Sequence, residues 1–306
     1  MKHDSRQIGS TRRGISQLDL LVAVAVMTLL VSVLAPAMLS ARLLSQREQC
    51  ANKLKDIGRA FQSFEQLQGG LPPRRVFGPY RGWAPPLLPH LGEKSLAAKY
   101  QMDKDFFDPA NREAVGTRLP IFECPAAPPA RRMAITDLAS NETGVEGALG
   151  DYFGFNSVRD PSLPARLQDN KNTAMIDETI RPLTEIVDGT SWTLLLSEQA
   201  GRPEHWVRGE KQKDDSGLTV AKFWGPWPSF NVFQVVSYSA DGLSKVGPCA
   251  INCNNSQGVY AFHPEGANGL FVDGSVRLLG KNMAPEVLFG LVTRNGGEVV
   301  GEEDLK

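Results

Sequence analysis

Four cysteines, four histidines and five tryptophans hold most of the reactive side-chain chemistry of this 306-residue chain. Cys249 and Cys253 are separated by three residues, one more than the common zinc or redox pair, and no second such pair or clustered His accompanies them. That spacing predicts a local disulfide across the turn "AIN". Cys50 falls on an apolar helical stripe and Cys124 in a Pro-bounded loop, so a Cys50–Cys124 bridge that staples helix to body is expected. His263 precedes Asp273-Gly274 by ten positions. "HPEGAN" reads as a turn, "GLFV" as a strand and Asp-Gly as a two-residue hairpin turn. Four strand residues at about 3.3 Å each would hold His263 and Asp273 on the order of 13 Å apart, too far for direct proton transfer. The motif therefore reads as structural, with His263 bonding local backbone, and no catalytic residue is assigned.

Other donors are weaker. Asp241, Asp273 and Asn254 are hard oxygen ligands on loops and suit Ca²⁺, but Asp-Gly and Asn-Asn are also ordinary turn residues, and no metal site is assigned. Trp83, Trp192, Trp206, Trp224 and Trp227 can stack on a sugar or pack a core, and core packing is the commoner use. Neither Gly-x-Ser-x-Gly nor His-Glu-x-x-His occurs, and the expectation is a protein that is not an enzyme.

The elements that position these residues begin with a long helix. Residues 20–41 lie between Asp19 and Arg42 and contain no charge. About 20 such residues cross a bilayer as a helix. Lys2, Arg6, Arg12 and Arg13 precede the run, which favours a cytoplasmic N-terminus and an extracytoplasmic body. Beyond Arg42 the apolar positions Cys50, Leu54, Ile57, Phe61, Phe64 and Leu67 step by three or four, and Gly69-Gly70 stop the pattern. One helix over about 16–68 follows, with a transmembrane half and an amphipathic half. Ala35-Pro36-Ala37 keeps a signal-peptide cleavage open as an alternative, and an uncut anchor is another.

After residue 68, short apolar runs alternate with Gly, Pro, Asn and Asp. "LTEIVDGTSWTLLLSEQ" (183–199), "FNVFQVVSYSADG" (230–242) and "GLFVDGSVRLL" (269–279) read as strands and turns, with short helices near 94–102 and 283–294. The fold class is α+β, a long N-terminal helix packed on a strand-rich antiparallel-sheet body. The net charge of −1 gives no basic surface, so no nucleic-acid partner is expected. An even cysteine count in an exported body fits two disulfides.

Gly14 followed by Ile15, Asp19 at the fifth position after the glycine and Pro36 at the twenty-second resemble the type IV prepilin and pseudopilin signal. The resemblance implies cleavage after Gly14 by a prepilin peptidase and methylation of Ile15. It also implies a retained helix that packs with like or related subunits and with membrane lipid, with Asp19 as the charged fifth residue. The family usually has Phe at Ile15 and Glu at Asp19. A wider resemblance rests on "CANKLKDIGRAFQSFEQLQGGLPP", "WAPPLLPHL", "IFECP", "LTEIVDGTSWTLLLSE", "CAINCNN" and "YAFHPEGANGLFVDGSVRLL". Together these blocks are similar to a large bacterial family of unknown function that joins a prepilin-type N-terminus to a C-terminal His-x9-Asp-Gly motif.

That likeness divides the chain into a basic cytoplasmic leader (1–14), a pilin-like helix (15–68, membrane segment about 20–41) and an exported body (69–306, motif region 249–279). The implied role is a single-pass inner-membrane pseudopilin, structural or assembly-related in a type II secretion or type IV pilus-like system. The alternative is a membrane-anchored extracytoplasmic binding module, for glycan among other ligands, that forms no filament.

Overall fold

The computed structural model describes residues 17–129, 131–161, 163–164, 167–169, 171–213 and 223–305. Gly14 and Ile15 lie outside the described residues, and Asp19 sits near the start of helix α1 (Gln17–Gln68). The chain divides into two units, the first ending at Leu44 and the second running Ser45–Lys306.

In the first unit the helix is long and apolar enough to cross a membrane. Its aliphatic side chains are exposed, Leu20, Val24, Met27 and Leu34 among them. Each hydroxyl of residues 20–41 is satisfied within the helix. Thr28 donates to the Ala25 carbonyl at 2.9 Å, Ser32 to Leu29 at 2.7 Å and Ser40 to Pro36 at 3.0 Å. Such back-bonding removes the cost of placing a hydroxyl in a medium without water.

In the second unit the stripe Cys50, Leu54, Ile57, Phe61 and Phe64 is buried. Leu67 is 73 % exposed, so the buried stripe ends one turn before the helix does. The other elements are strands β1 (Arg75–Phe77) and β2 (Tyr80–Gly82), helices α2 (Lys94–Lys99) and α3 (Arg112–Gly116), and strands β3 (Arg132–Thr136), β4 (Glu142–Ala148), β5 (Tyr152–Val158) and β6 (Leu194–Glu198). Strands β7 (Trp206–Val207), β8 (Glu210–Lys211), β9 (Val232–Val235), β10 (Gly266–Phe271) and β11 (Val276–Gly280) and helix α4 (Pro285–Val292) complete the set.

The central sheet has the order β11-β10-β6-β5-β9. It is antiparallel except for the edge pair β5–β9, which is parallel. The sheet is thus mixed where a wholly antiparallel one was expected, because β9 returns beside β5 after a long excursion. Both faces are covered. Leu196, Leu270 and Val232 join the α1 stripe and Trp83 in one core, while Phe153, Leu194, Phe271 and Leu279 join Leu288, Phe289 and Val292 of α4 in the other. Every residue of β6 and β10 is buried, which removes the apolar–polar alternation that a one-sided sheet shows.

Helix α1 approaches the sheet at Gly58. A Cβ there would lie 2.9 Å from Leu270 Cδ1 and 3.4 Å from Gly274 Cα, so no larger residue fits without displacement. One turn further on, Gln62 Nε2 donates to the Asp273 carbonyl at 2.8 Å. Four residues, Val272 to Ser275, separate β10 from β11, and the Phe271–Ser275 pair closes a three-residue turn, Val272 to Gly274, where a two-residue turn was expected. The Phe271 amide bonds Ser275 O, the Gly274 amide bonds Phe271 O, and Gly274 takes φ 85°. A type I turn closed by a left-handed glycine has this pattern.

A second seam joins β1 to the loop before Arg181. The buried Arg74 guanidinium donates twice to Asp177, at 2.7 and 2.9 Å, and Arg75 donates to the same carboxylate at 2.8 and 2.6 Å. Burial pushes the Asp177 carboxyl up, but the hydrogen bonds and charges of Arg74 and Arg75 prevail and hold it at about 2. A folded-state value below the unfolded one gives stability that is present above about pH 4 and lost as pH falls toward 2. Asp177→Asn should lower unfolding free energy at pH 7 by roughly 1–3 kcal/mol. The gap between variant and wild type should close below pH 3 in urea titrations, and a gap that stays constant with pH would contradict the assignment.

Candidate functional site

The C-terminal motif does not bring His263 to Asp273. The Asp273 carboxylate accepts from the Ser275 amide at 2.8 Å inside its own turn. The imidazole of His263 is buried before the opposite end of β10, which spans six residues rather than four. Nor does the ring bond local backbone, as the sequence suggested. Its Nε2 lies 3.2 Å from Glu198 Oε1 and 3.5 Å from Cys124 Sγ. Both neighbours are acceptors, so the network assigns the Nε2 proton to the hydrogen bond with Glu198. Nδ1 is buried without a hydrogen-bond partner among the described residues.

Glu198 is the residue the sequence reading missed. It ends the apolar run of β6 and is fully buried. A carboxylate closing a five-residue hydrophobic strand is a signal in itself, because ionised groups are rarely buried unless partnered. Its Oε2 accepts the Asn268 amide at 2.6 Å, from the neighbouring strand β10. The pairing of Gly269 with Ser197 sets this register.

The disulfides are Cys50–Cys124, with Cα atoms 5.3 Å apart, and Cys249–Cys253, at 6.1 Å. The first joins α1 to the turn after Pro120–Phe122 and lies against His263. That turn is fixed by Asp151, also fully buried, which accepts from the Cys124 amide at 2.9 Å, the Gly201 amide at 3.1 Å and Arg131 Nη2 at 2.6 Å. Lys53 Nζ donates to the Glu123 carbonyl at 2.7 Å from the helix side. The Tyr152 phenol beneath is pushed well above its ordinary value, first by burial and then by the charges of Glu198 and Asp151.

A cleft of about 640 Å³ opens beside His263. Its walls include Arg208, Asn252, Tyr260, Phe262, Lys281 and Asn282, with no carboxylate among them. Arg208 and Gly209 form the tight β7–β8 turn at φ 46° and 86°. A non-glycine residue pays roughly 1–2 kcal/mol for that left-handed conformation. Asn252, at φ 59°, sits inside the Cys249–Cys253 loop and donates to the carbonyls of His263 and Gly266. Phe262 packs edge-on against Trp206 and Tyr260.

The remaining candidates separate. Asp241 binds Ser239 Oγ and the Leu243 amide in one exposed turn, and Asn254 is taken up by Gly242 O, the Ser256 amide and His205. Asp273 is occupied in a different turn, so the three oxygens considered for Ca²⁺ are divided between turns. Trp83 and Trp227 are fully buried, whereas Trp192, Trp206 and Trp224 are half-buried.

The buried pair has a clear energetic consequence. His263→Ala leaves the Glu198 carboxylate with one donor and should cost about 3–5 kcal/mol. His263→Gln keeps a donor near Glu198 and should cost about half as much. Chemical denaturation of the two variants checks this, and equal losses would mean that His263 acts by volume alone.

Residues 40–286 match the family described as SBP_bac_10, protein of unknown function (DUF1559). No curated protein and no solved structure matches the chain.

Proposed function

We propose, for a chain that belongs to the DUF1559 family of unknown function, a pseudopilin-like role as a single-pass, non-catalytic membrane protein. A prepilin peptidase cuts after Gly14 and methylates Ile15, and the helix stays as the packing element between like or related subunits in lipid. The body lies outside the cytoplasmic membrane. One observation carries this reading: α1 is a single helix from the uncharged, exposed run into the buried stripe of the body. A discarded signal peptide has no reason to share a helix with core residues such as Leu54 and Ile57. The self-satisfied hydroxyls of Thr28, Ser32 and Ser40 support a lipid-facing helix.

Asp19 gains a purpose under this reading. Cleavage leaves a positive amine at the membrane edge, where an unpaired charge is costly. A carboxylate at the fifth position of a neighbouring subunit neutralises it and sets the register between helices.

Mass spectrometry of the mature N-terminus decides. A methylated Ile15 is expected, and Gly14→Leu should retain the leader. An intact Met1 in wild type would indicate an uncut anchor, and a start after Ala37 a signal peptide.

The cleft favours a second reading, a membrane-anchored binding module. Two cations, two amides and the half-exposed Phe262 ring suit an acidic glycan, with the carboxylate on Arg208 and Lys281 and a sugar face on the ring. The Arg208→Ala, Lys281→Ala pair should weaken binding to a uronate-containing polysaccharide by tenfold or more in a salt-dependent manner. Unchanged retention on immobilised polysaccharide would remove this reading.

A further inference from the structure

The seam between α1 and the sheet holds an arrangement that a structural disulfide does not require. Cys50 and Cys124 Sγ, His263 Nε2 and a Glu198 oxygen all lie within 4.8 Å of one another, and all four residues are buried. They come from four separate segments: helix α1, the turn after Pro120–Phe122, the end of β6 and the approach to β10. A disulfide in a core needs only apolar neighbours. Here an imidazole and a carboxylate have been brought to it, and burying that carboxylate is costly when its donors are one amide and one ring nitrogen.

The distances fit a different centre. In a tetrahedral zinc site with bonds of about 2.0–2.3 Å, neighbouring donor atoms stand roughly 3.3–3.8 Å apart. His263 Nε2 is 3.2 Å from Glu198 Oε1 and 3.5 Å from Cys124 Sγ. The sulfur–sulfur edge is the one closed by a covalent bond. Two thiolates and an imidazole select a zinc-class ion over calcium or magnesium, which take oxygen ligands.

We infer that Cys50, Cys124, Glu198 and His263 bind one zinc-class divalent cation when the Cys50–Cys124 bond is reduced, and that the disulfide is the metal-free, oxidised form of the same site. A dithiol reductant supplies the two electrons and two protons that open the S–S bond, and it leaves as its own cyclic disulfide. Metal entry then displaces the two thiol protons, and the Nε2 proton passes to the unpartnered Nδ1, which frees the Nε2 lone pair for the ion. Four protein ligands fill the coordination shell and leave no open position, so the ion holds α1 to the body rather than performing chemistry. The Asp151 hydrogen bond to the Cys124 amide keeps the ligand turn in place in either form. The site is independent of the pseudopilin reading.

The test uses the full chain in detergent. Under argon, a phosphine opens the bond without adding a competing thiol, its phosphorus taking up a water oxygen. Zinc is then added and bound metal counted, and Co²⁺ replaces zinc to read tetrahedral thiolate coordination from its visible and charge-transfer bands. One ion per reduced chain is expected, with none bound before reduction. His263→Gln and Glu198→Gln should each weaken binding by tenfold or more, and a Cys249→Ser, Cys253→Ser chain should bind as wild type. Circular dichroism covers the case in which reduction unfolds the body, where zinc should restore the fold. The inference is overturned if the reduced chain binds no ion, if binding follows Cys249 and Cys253, if both Gln variants bind as wild type, if the oxidised chain binds equally, or if zinc fails to refold a reduced chain.

Discussion

The structure depends on one long contact, the lower half of α1 laid along strand β10. At the strand's start, Arg47 pairs with Glu265, the Arg47 carbonyl accepts from Asn268 Nδ2, and Cys50 lies in the His263 cluster. At its end, Gln62 holds the Asp273 carbonyl and Gly58 admits Leu270. The twelve steps of helix from Cys50 to Gln62 rise about 18 Å, and the five steps of β10 from Gly266 to Phe271 span about 17 Å. The interval between His263 and Asp273-Gly274 is therefore a ruler: its length matches the stretch of helix it must cover. The histidine marks one end of the contact and the left-handed glycine the other. That explains why the two parts of the motif need not meet to belong together.

Polar groups in the body serve this contact by fixing loops. Asp151 is buried with three donors around it and holds the turn that presents Cys124. Asp177 gathers Arg74 and Arg75, which tie the segment following α1 to the loop before Arg181. Asp151 and Asp177 each have more than one charged or backbone donor, the condition under which burial of a charge becomes tolerable. Apolar packing on both sheet faces then covers the ladders.

Much of this was legible in the residues. The stripe Cys50, Leu54, Ile57, Phe61, Phe64 has helical period, and it is buried in that order. Asp273-Gly274 announces a turn because glycine alone adopts φ 85° cheaply. The α+β class followed from the change of period at Gly69-Gly70. Other features were hidden for physical reasons. Strands β6 and β10 are buried on both faces and show no alternation, so their bounds and their partners could not be read. Parallel pairing of β5 with β9 is a tertiary outcome with no local trace. His263 could be flagged, but its partner Glu198 lies 65 residues away and is fixed by strand register alone. Arg208 and Lys281 meet at the cleft only because separate loops converge there.

The distance in sequence between the two sides of the helix–β10 contact governs the order in which the molecule can be completed. Gln62 and Asp273 are 211 residues apart, and Arg47 and Glu265 are 218 apart. A chain made from its N-terminus has its helix long before the strand β10 that meets it. Phe61 can pack on Trp83 early, but the face at Gly58 and Gln62 waits for β10, and contacts of such long range close slowly. Seating of the helix is thus a terminal event that reports arrival of the last strands. A body truncated before β10 would leave open the helix face around Gly58 and Gln62, in a state prone to aggregate or to be taken by chaperones and proteases.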